Sequence, residues 1–262
     1  MQMSPMPQHR RSAEMAATTS IRAVAIETSS RVGSVAIGTR EGLVASARIQ
    51  SDQRHGAELL PALAALCDQV GWEPSSLSEC YVSTGPGSFT GLRIGIAVAR
   101  TLAWSAGLRL VAVPTVQVIA ANALGLAPPP VNLAVVLDAK RGRVYGAILR
   151  LAGDSYEVSA GPYQVEPGRL LADAPRPLAV TGEGVAYHRP AIEGAGVSVL
   201  PAVLWTPTAE GVFQLGTRLA DGGRFTQPVR LLPNYVRLPE PLEKWQAAHP
   251  AGGGPSEGPA SD

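Results

Sequence analysis

Charge is scarce in this chain and what there is nearly cancels: 16% of the 262 residues are charged and the formal net charge is +1. No global field therefore recruits nucleic acid, and a grip on RNA has to rest on a local patch or on a partner. Cysteine is scarcer still. Cys67 and Cys80 are the only two, too few for a disulfide framework or a zinc site, which makes a reducing cytoplasm the natural compartment. The histidines His9, His55, His188 and His249 are dispersed, and none stands at the i, i+4 spacing of a metalloprotease-type ligand pair. No serine sits with a histidine in a nucleophile motif, which argues against a hydrolase triad. Apolar runs stay well below the roughly 18 to 20 residues of a membrane span. Arg10 and Arg11 are followed by no apolar segment, so the start does not read as a secretory signal.

What is present suits a folded protein of one large domain or two lobes, since 45% of the residues are hydrophobic. Residues 1–19 are expected to be a disordered extension, with Met15 an alternative start, and 246–262 a disordered tail rich in glycine, proline and serine. Between them, three short strands over Arg22–Thr28, Val32–Gly38 and Leu43–Ile49 form a meander of two hairpins. Leu59, Leu63, Leu66 and Val70 recur at helical spacing, so a helix spans about Gly56–Val70, with Pro61 in its first turn or at a kink. A strand at Cys80–Thr84 leads into a glycine-rich loop and a second helix, and Pro114-Thr115 opens a third that runs through Leu124.

Pro128-Pro129-Pro130 marks the best boundary, dividing an N-terminal lobe over 20–127 from a C-terminal lobe over 128–245 whose last helix could cross back. After it the pattern begins again. Leu133–Asp138 is an apolar strand, Lys140-Arg141-Gly142 a turn and Val144–Leu151 the hairpin partner; Leu178–Thr181 is a later strand, and Thr208–Asp221 a helix capped by Thr206 or Thr208. Two lobes that each open with a hairpin whose first strand ends in an acid, Glu27 and Asp138, form a weak internal repeat. Duplication of an α/β lobe around a cleft points to a nucleotide or phosphoester site between the lobes.

The loop Gly85-Pro86-Gly87-Ser88-Phe89-Thr90-Gly91 can be read in two ways. It is either a tight turn in which glycine only permits unusual backbone angles, or an anion cradle built from Gly85, Gly87, Ser88 and Thr90 at a helix N-terminus. It is neither a Walker loop, since Leu92-Arg93 follows Gly91 where Lys-Ser/Thr is required, nor a dinucleotide fingerprint, whose third glycine would fall at Thr90. From Ser88 to Gly107 the only charges are Arg93 and Arg100, so the helix is nearly apolar all round and must be buried or meet a partner. Gly91, Gly95, Ala99 and Ala103 form a smooth strip on it, suited to close approach by another helix or to packing within the chain. Glu27 and Asp138 either hold a metal and activate water or are simply polar strand ends.

These segments resemble the bacterial TsaB (YeaZ) family over most of residues 21–245. The most specific element is Gly85-Pro86-Gly87-Ser88-Phe89-Thr90-Gly91-Leu92-Arg93-Ile94-Gly95. It is supported by Val24-Ala25-Ile26-Glu27-Thr28 with Val35-Ala36-Ile37, His55 before Leu59-Leu60-Pro61, Val113-Pro114-Thr115, the run Leu137–Tyr145 and Asn234-Tyr235-Val236-Arg237. The resemblance implies an α/β fold of two ribonuclease H-like lobes, as in actin, Hsp70 and sugar kinases. It also implies a role without catalysis: a subunit with no metal and no cofactor of its own, pairing with TsaD, helping to recruit TsaE, or pairing with a second copy of itself. The complex forms N6-threonylcarbamoyladenosine at position 37 of tRNAs reading ANN codons, and tRNA would be met only through it, with no membrane involved. By similarity, the helices after Leu59 and Ser88 would build a four-helix seam with the partner. The residues expected there are Gly91, Arg93, Gly95, Ile96, Ala99, Arg100 and Ala103, with Leu60, Ala64 and Cys67 from the first helix. Glu27 stands where family members often carry aspartate, which weighs against a phosphate site. The rival expectation is an ATP-dependent phosphotransferase using Glu27 or Asp138 for magnesium and the loop for phosphate. Arg230, Arg237 and Lys244 are the residues that would line a local tRNA contact.

Overall fold

The computed structural model describes residues 21–49 and 55–236. Arg237, Lys244, His9, His249, Met15, the extension expected over 1–19 and the tail expected over 246–262 lie outside the described residues.

The first sheet opens with β1 (Arg22–Glu27), β2 (Gly33–Thr39) and β3 (Gly42–Ile49), which pair antiparallel as the hairpin pattern predicts. Helix α1 (His55–Gln69) follows, with Pro61 in its interior. Then β4 (Glu79–Ser83), α2 (Phe89–Ala106) and β5 (Arg109–Val113) add two strands parallel to β1, giving the order β3-β2-β1-β4-β5. Helix α3 (Thr115–Ala121) leads to the second lobe, built from β6 (Asn132–Asp138), β7 (Val144–Ala152), β8 (Ser155–Val165), α4 (Pro167–Ala172), β9 (Leu178–Thr181), α5 (Gly184–Glu193) and β10 (Ser198–Val199). Its sheet runs β8-β7-β6-β9-β10, the order of the first sheet repeated with each strand in its equivalent place. This duplicated ribonuclease H-like topology is the two-lobed α/β architecture of actin, Hsp70 and sugar kinases.

Both sheets are covered on both faces, so their central strands are apolar throughout and do not alternate with polar residues. In β1, Val24 and Ile26 pack with Leu59, Leu63 and Leu66 of α1 and with Ile96 and Ala99 of α2. The small residues Ala23 and Ala25 face the other way, onto Val212 and Phe213 of the final helix α6 (Ala209–Asp221). Burying two such side chains is worth about 1.5–3 kcal/mol each. Gly216 lets α6 lie directly on the Tyr81 ring, where any Cβ would collide.

The helices between the lobes are exchanged. Helix α6, which follows the second sheet, covers the first, while α3, which follows the first sheet, buries Val116, Ile119 and Ala120 against Leu133, Val135 and Leu149 of the second. Asn122 Nδ2 binds the Leu204 and Thr206 carbonyls at 3.1 and 3.0 Å and holds the two connections together. Thr208 caps α6, accepting from the Gly211 N–H at 3.2 Å.

Strands β5 and β8 and helix α5 have no counterpart among the sequence expectations. Arg109–Val113 has an apolar run of only four residues, Leu110–Val113, that local pattern cannot separate from the end of the preceding helix. β8 contains Gly161-Pro162, which breaks the strand signal, and its pairing with β7 shifts register there. In α5, Pro190 and a non-helical His188 interrupt the helical period.

Candidate functional site

The glycine loop is held by hydrogen bonds to its own chain. Gly85, at φ +109°, donates its N–H to Thr115 Oγ1 at 3.0 Å and accepts from the Thr115 N–H at 3.0 Å. The Ser88 N–H donates to the Ser29 carbonyl at 2.6 Å, and the Ser88 hydroxyl caps α2 by accepting from the Gly91 N–H at 3.2 Å. A Cβ on Gly87 would overlap the Ser29 carbonyl. The glycines therefore let the loop lie flat on the end of β1, and the donors of Gly85, Ser88 and Gly91 are committed to protein acceptors. Of the four cradle residues, Gly87, Ser88 and Thr90 line the cleft between the lobes, whereas Gly85 does not.

Beneath the loop, Glu27 is fully buried. Its Oε1 accepts from the N–H and hydroxyl of Ser29 at 2.5 and 2.6 Å, while Oε2 has no partner among the described residues, and neither has the nearby Ser83 hydroxyl. Burial pushes its carboxyl above the ordinary range, against the hydrogen bonds from Ser29. Glu27 does not line the cleft.

The cleft itself has a volume of about 470 Å³. The first lobe contributes Ser30, Arg31 and the start of α2, the second Asp138, Lys140, Glu183 and Tyr187. Lys140, Arg141 and Gly142 all take positive φ, a tight left-handed turn that folds Lys140 back over the end of β6. There Lys140 Nζ meets Asp138 Oδ2 at 2.6 Å and lies 5.3 Å from the centre of the Tyr187 ring. His188 Nε2 reaches Asp138 Oδ1 at 3.3 Å. Burial raises the Asp138 carboxyl, but the hydrogen bonds from Lys140 and His188 outweigh it and hold the group below its usual value. Glu183 is pushed up by burial and by Asp138, against the pull of Arg31 and Lys140. Sequence spacing does not reveal the His188–Asp138 contact, because the two lie 50 residues apart and meet only through the fold.

The expected seam is redistributed. Gly91, Gly95, Ile96, Ala99 and Ala103 are buried against their own sheet, and Cys67 is buried in the same core. A Cβ on Gly91 would overlap the Thr28 carbonyl, and one on Gly95 the Thr28 hydroxyl. The small strip thus accommodates the end of β1, packing within the chain as one of its two readings allows. Leu60, 46% exposed, with Ala64 and Arg93 do face solvent, and Arg100 is half-buried. Among the described residues no group of three or more His, Cys, Asp or Glu could hold a metal ion, and no helix is long and apolar enough to cross a membrane.

Fold and cleft together define a two-lobed protein of the actin, Hsp70 and sugar-kinase class. Residues 45–202 match the family model described as TsaD, tRNA N6-adenosine threonylcarbamoyltransferase. The tRNA threonylcarbamoyladenosine biosynthesis protein TsaB of Bacillus subtilis (strain 168) is 29% identical over 237 residues, 85% of this chain and 96% of that protein. An uncharacterized protein of Mycobacterium tuberculosis (strain H37Rv) is 30% identical over 83% of this chain and 92% of its own length. The solved structure of YeaZ from Pseudomonas aeruginosa shares the fold at 24% identity and a TM-score of 0.70, covering 82% of this chain and 99% of that one. The chain belongs to the TsaB (YeaZ) family.

Proposed function

We propose that this chain works in tRNA threonylcarbamoyladenosine biosynthesis as a non-catalytic scaffold. It pairs with TsaD and helps recruit TsaE to the complex that forms N6-threonylcarbamoyladenosine at position 37 of tRNAs reading ANN codons. The characterised relative from Bacillus subtilis is named for that pathway. The observation that supports the non-catalytic part is the loop: at the head of α2 the Ser88 N–H donates to the Ser29 carbonyl and the Gly91 N–H to the Ser88 hydroxyl, two donors already taken by the chain itself. A phosphate could take these two donors only by breaking the Ser88–Ser29 contact and the Ser88 cap of α2. Asp138 is likewise held by Lys140 and His188. On this reading the chain has no cofactor of its own and meets tRNA only through the complex.

Reconstituting tRNA modification from purified components tests the reading. Modification should require this chain, and the chain alone should modify nothing. Magnesium-dependent nucleotide turnover by the isolated chain, abolished by Asp138→Asn, would overturn the scaffold in favour of a phosphotransferase.

A further inference from the structure

The second lobe has a hollow of its own, between the edge strand β8 and helix α4, with a volume of about 690 Å³ against about 470 Å³ for the cleft between the lobes. A break in the strand pairing makes it. Gly146 of β7 stands opposite Tyr163 and Ile148 opposite Ala160, so Gly161 and Pro162 together face Ala147 and bulge out of the ladder. Gly161 takes φ +92°, and a Cβ there would collide with the Gly146 carbonyl. On the other side, α4 approaches β7 at Gly146, where only the missing side chain leaves room for Leu170. Ile148, Leu170 and Ala174, all members of the second lobe's core, form the apolar floor.

The rim is polar and its charges are unpaired. Arg169 and Asp173 both line the hollow and both are exposed. Four residues apart on a helix, they stand within reach of each other, yet among the described residues neither makes an ion pair, together or elsewhere. Asp173 is also the C-cap of α4, the end of a helix that favours a cation, so the helix supplies no reason for an acid there. Tyr163 bounds the outer side at 56% exposure, and among the described residues its ring meets no other ring and no cation. Ser159 is different, since its hydroxyl is committed to the Ile148 carbonyl at 3.0 Å.

The geometry points to a binding site for a free aromatic α-amino acid. The ligand's carboxylate pairs with the Arg169 guanidinium, its ammonium with the Asp173 carboxylate, and its ring lies on the floor beside Tyr163. An α-amino acid carries its two charges on one carbon, and a cation and an anion one helical turn apart, about 5–6 Å between Cβ atoms, match that spacing. An apolar floor and a free tyrosine ring favour an aromatic body over a polar one, and the volume lies in the range of small-molecule sites. A peptide strand added along β8 is the poorer occupant, because Pro162 offers no N–H and the bulge interrupts the edge. This site goes beyond the scaffold reading and does not rest on it.

The probe is L-tryptophan, titrated into the full chain while amide NMR spectra and thermal melts are recorded. Binding should saturate with a Kd of about 0.1–1 mM and move the amide signals of Tyr163, Arg169 and Asp173. At about tenfold excess over that Kd the melting temperature should rise by about 2–4 °C. Arg169→Gln and Asp173→Asn, both at exposed positions, should each weaken binding at least about fivefold. Arg189→Gln, on α5, should leave it within about twofold. Two analogues separate the charges: indolepropionate, which lacks the ammonium, should be insensitive to Asp173→Asn, and tryptamine, which lacks the carboxylate, insensitive to Arg169→Gln. Any one of four results overturns the site: no saturation up to about 10 mM, equal affinity for all three probes, wild-type affinity in both variants, or signal changes centred on Lys140 and Tyr187 of the cleft.

Discussion

The Thr28 hydroxyl donates a 2.8 Å hydrogen bond to the Gly91 carbonyl, tying the end of the first strand to the first turn of α2. The contact is possible because Gly91 and Gly95 have no Cβ on the side that meets Thr28. It makes the small-residue strip of α2 part of the first lobe's interior.

Gly95→Leu and Ala99→Leu should accordingly behave as core mutations. Overpacking costs about 1–3 kcal/mol or more, so urea denaturation should show a lower midpoint for both, with Gly95→Leu worse because it drives into Thr28 and strand β1. Unchanged stability combined with a lost partner complex would restore the strip to the interface.

Glu79 is fully buried between two arginines and a phenol. Arg40 Nη2 donates to both its oxygens at 2.9 and 3.0 Å, the Tyr81 hydroxyl donates to it at 2.5 Å, and Arg109 pairs with it. Glu79→Gln removes the charge, leaving Arg40 with Asp221 alone and Arg109 without a carboxylate, and should cost about 3 kcal/mol in chemical denaturation. Asp221, which meets the same Arg40 at 3.1 Å but is 58% exposed, should matter far less on Asp221→Asn, about 0–1 kcal/mol.

Glu27 makes stability depend on pH in a defined sense. Its folded carboxyl titrates above the ordinary 4.5, so above that pH the native state holds a proton that the unfolded chain has released. Stability therefore falls as pH rises from about 4.5 through the raised folded value. Glu27→Gln, which keeps an acceptor for Ser29, should be more stable than the wild type at pH 7–8, and the gap should close towards pH 4–5. Parallel thermal melts across that range check it; a gap that widens on acidification contradicts the assignment.

The Phe89–Tyr235 stack, with ring centres 5.1 Å apart, fastens the segment 226–235 to the start of α2. A double-mutant cycle with Phe89→Leu and Tyr235→Leu should give a coupling of about 0.5–1.5 kcal/mol. A coupling near zero would mean that Asn234, whose N–H donates to the Thr84 carbonyl, and Leu231, buried in the core with Ala99 and Ala103, hold the segment unaided.

The repeat of lobes was legible because it rests on local pattern: hairpins whose strands end in Glu27 and Asp138, apolar strands and a capped α6. Strand β5 was not legible, because an apolar run of four residues acquires its identity only by pairing with β4. His188 was missed in the same way, since its partner Asp138 lies 50 residues away. The strip at Gly91, Gly95, Ala99 and Ala103 was legible as a surface for close approach, but its neighbour on β1 was not. Periodicity shows that something must approach a helix closely; it does not say whether that something is a partner or the chain's own Thr28.

By itself the sequence determined the two-lobed α/β class, the family and the glycine loop at a helix start, because turns and hydrophobic periods act over a few residues. Only the tertiary structure decided which side of α2 faces inward, that the loop is tied to Ser29 and Thr115, that α3 and α6 exchange between the lobes, and that residues 226–235 return to lie beside α2. Each of these depends on contacts between segments far apart in the chain, whose burial and hydrogen bonding no local pattern encodes.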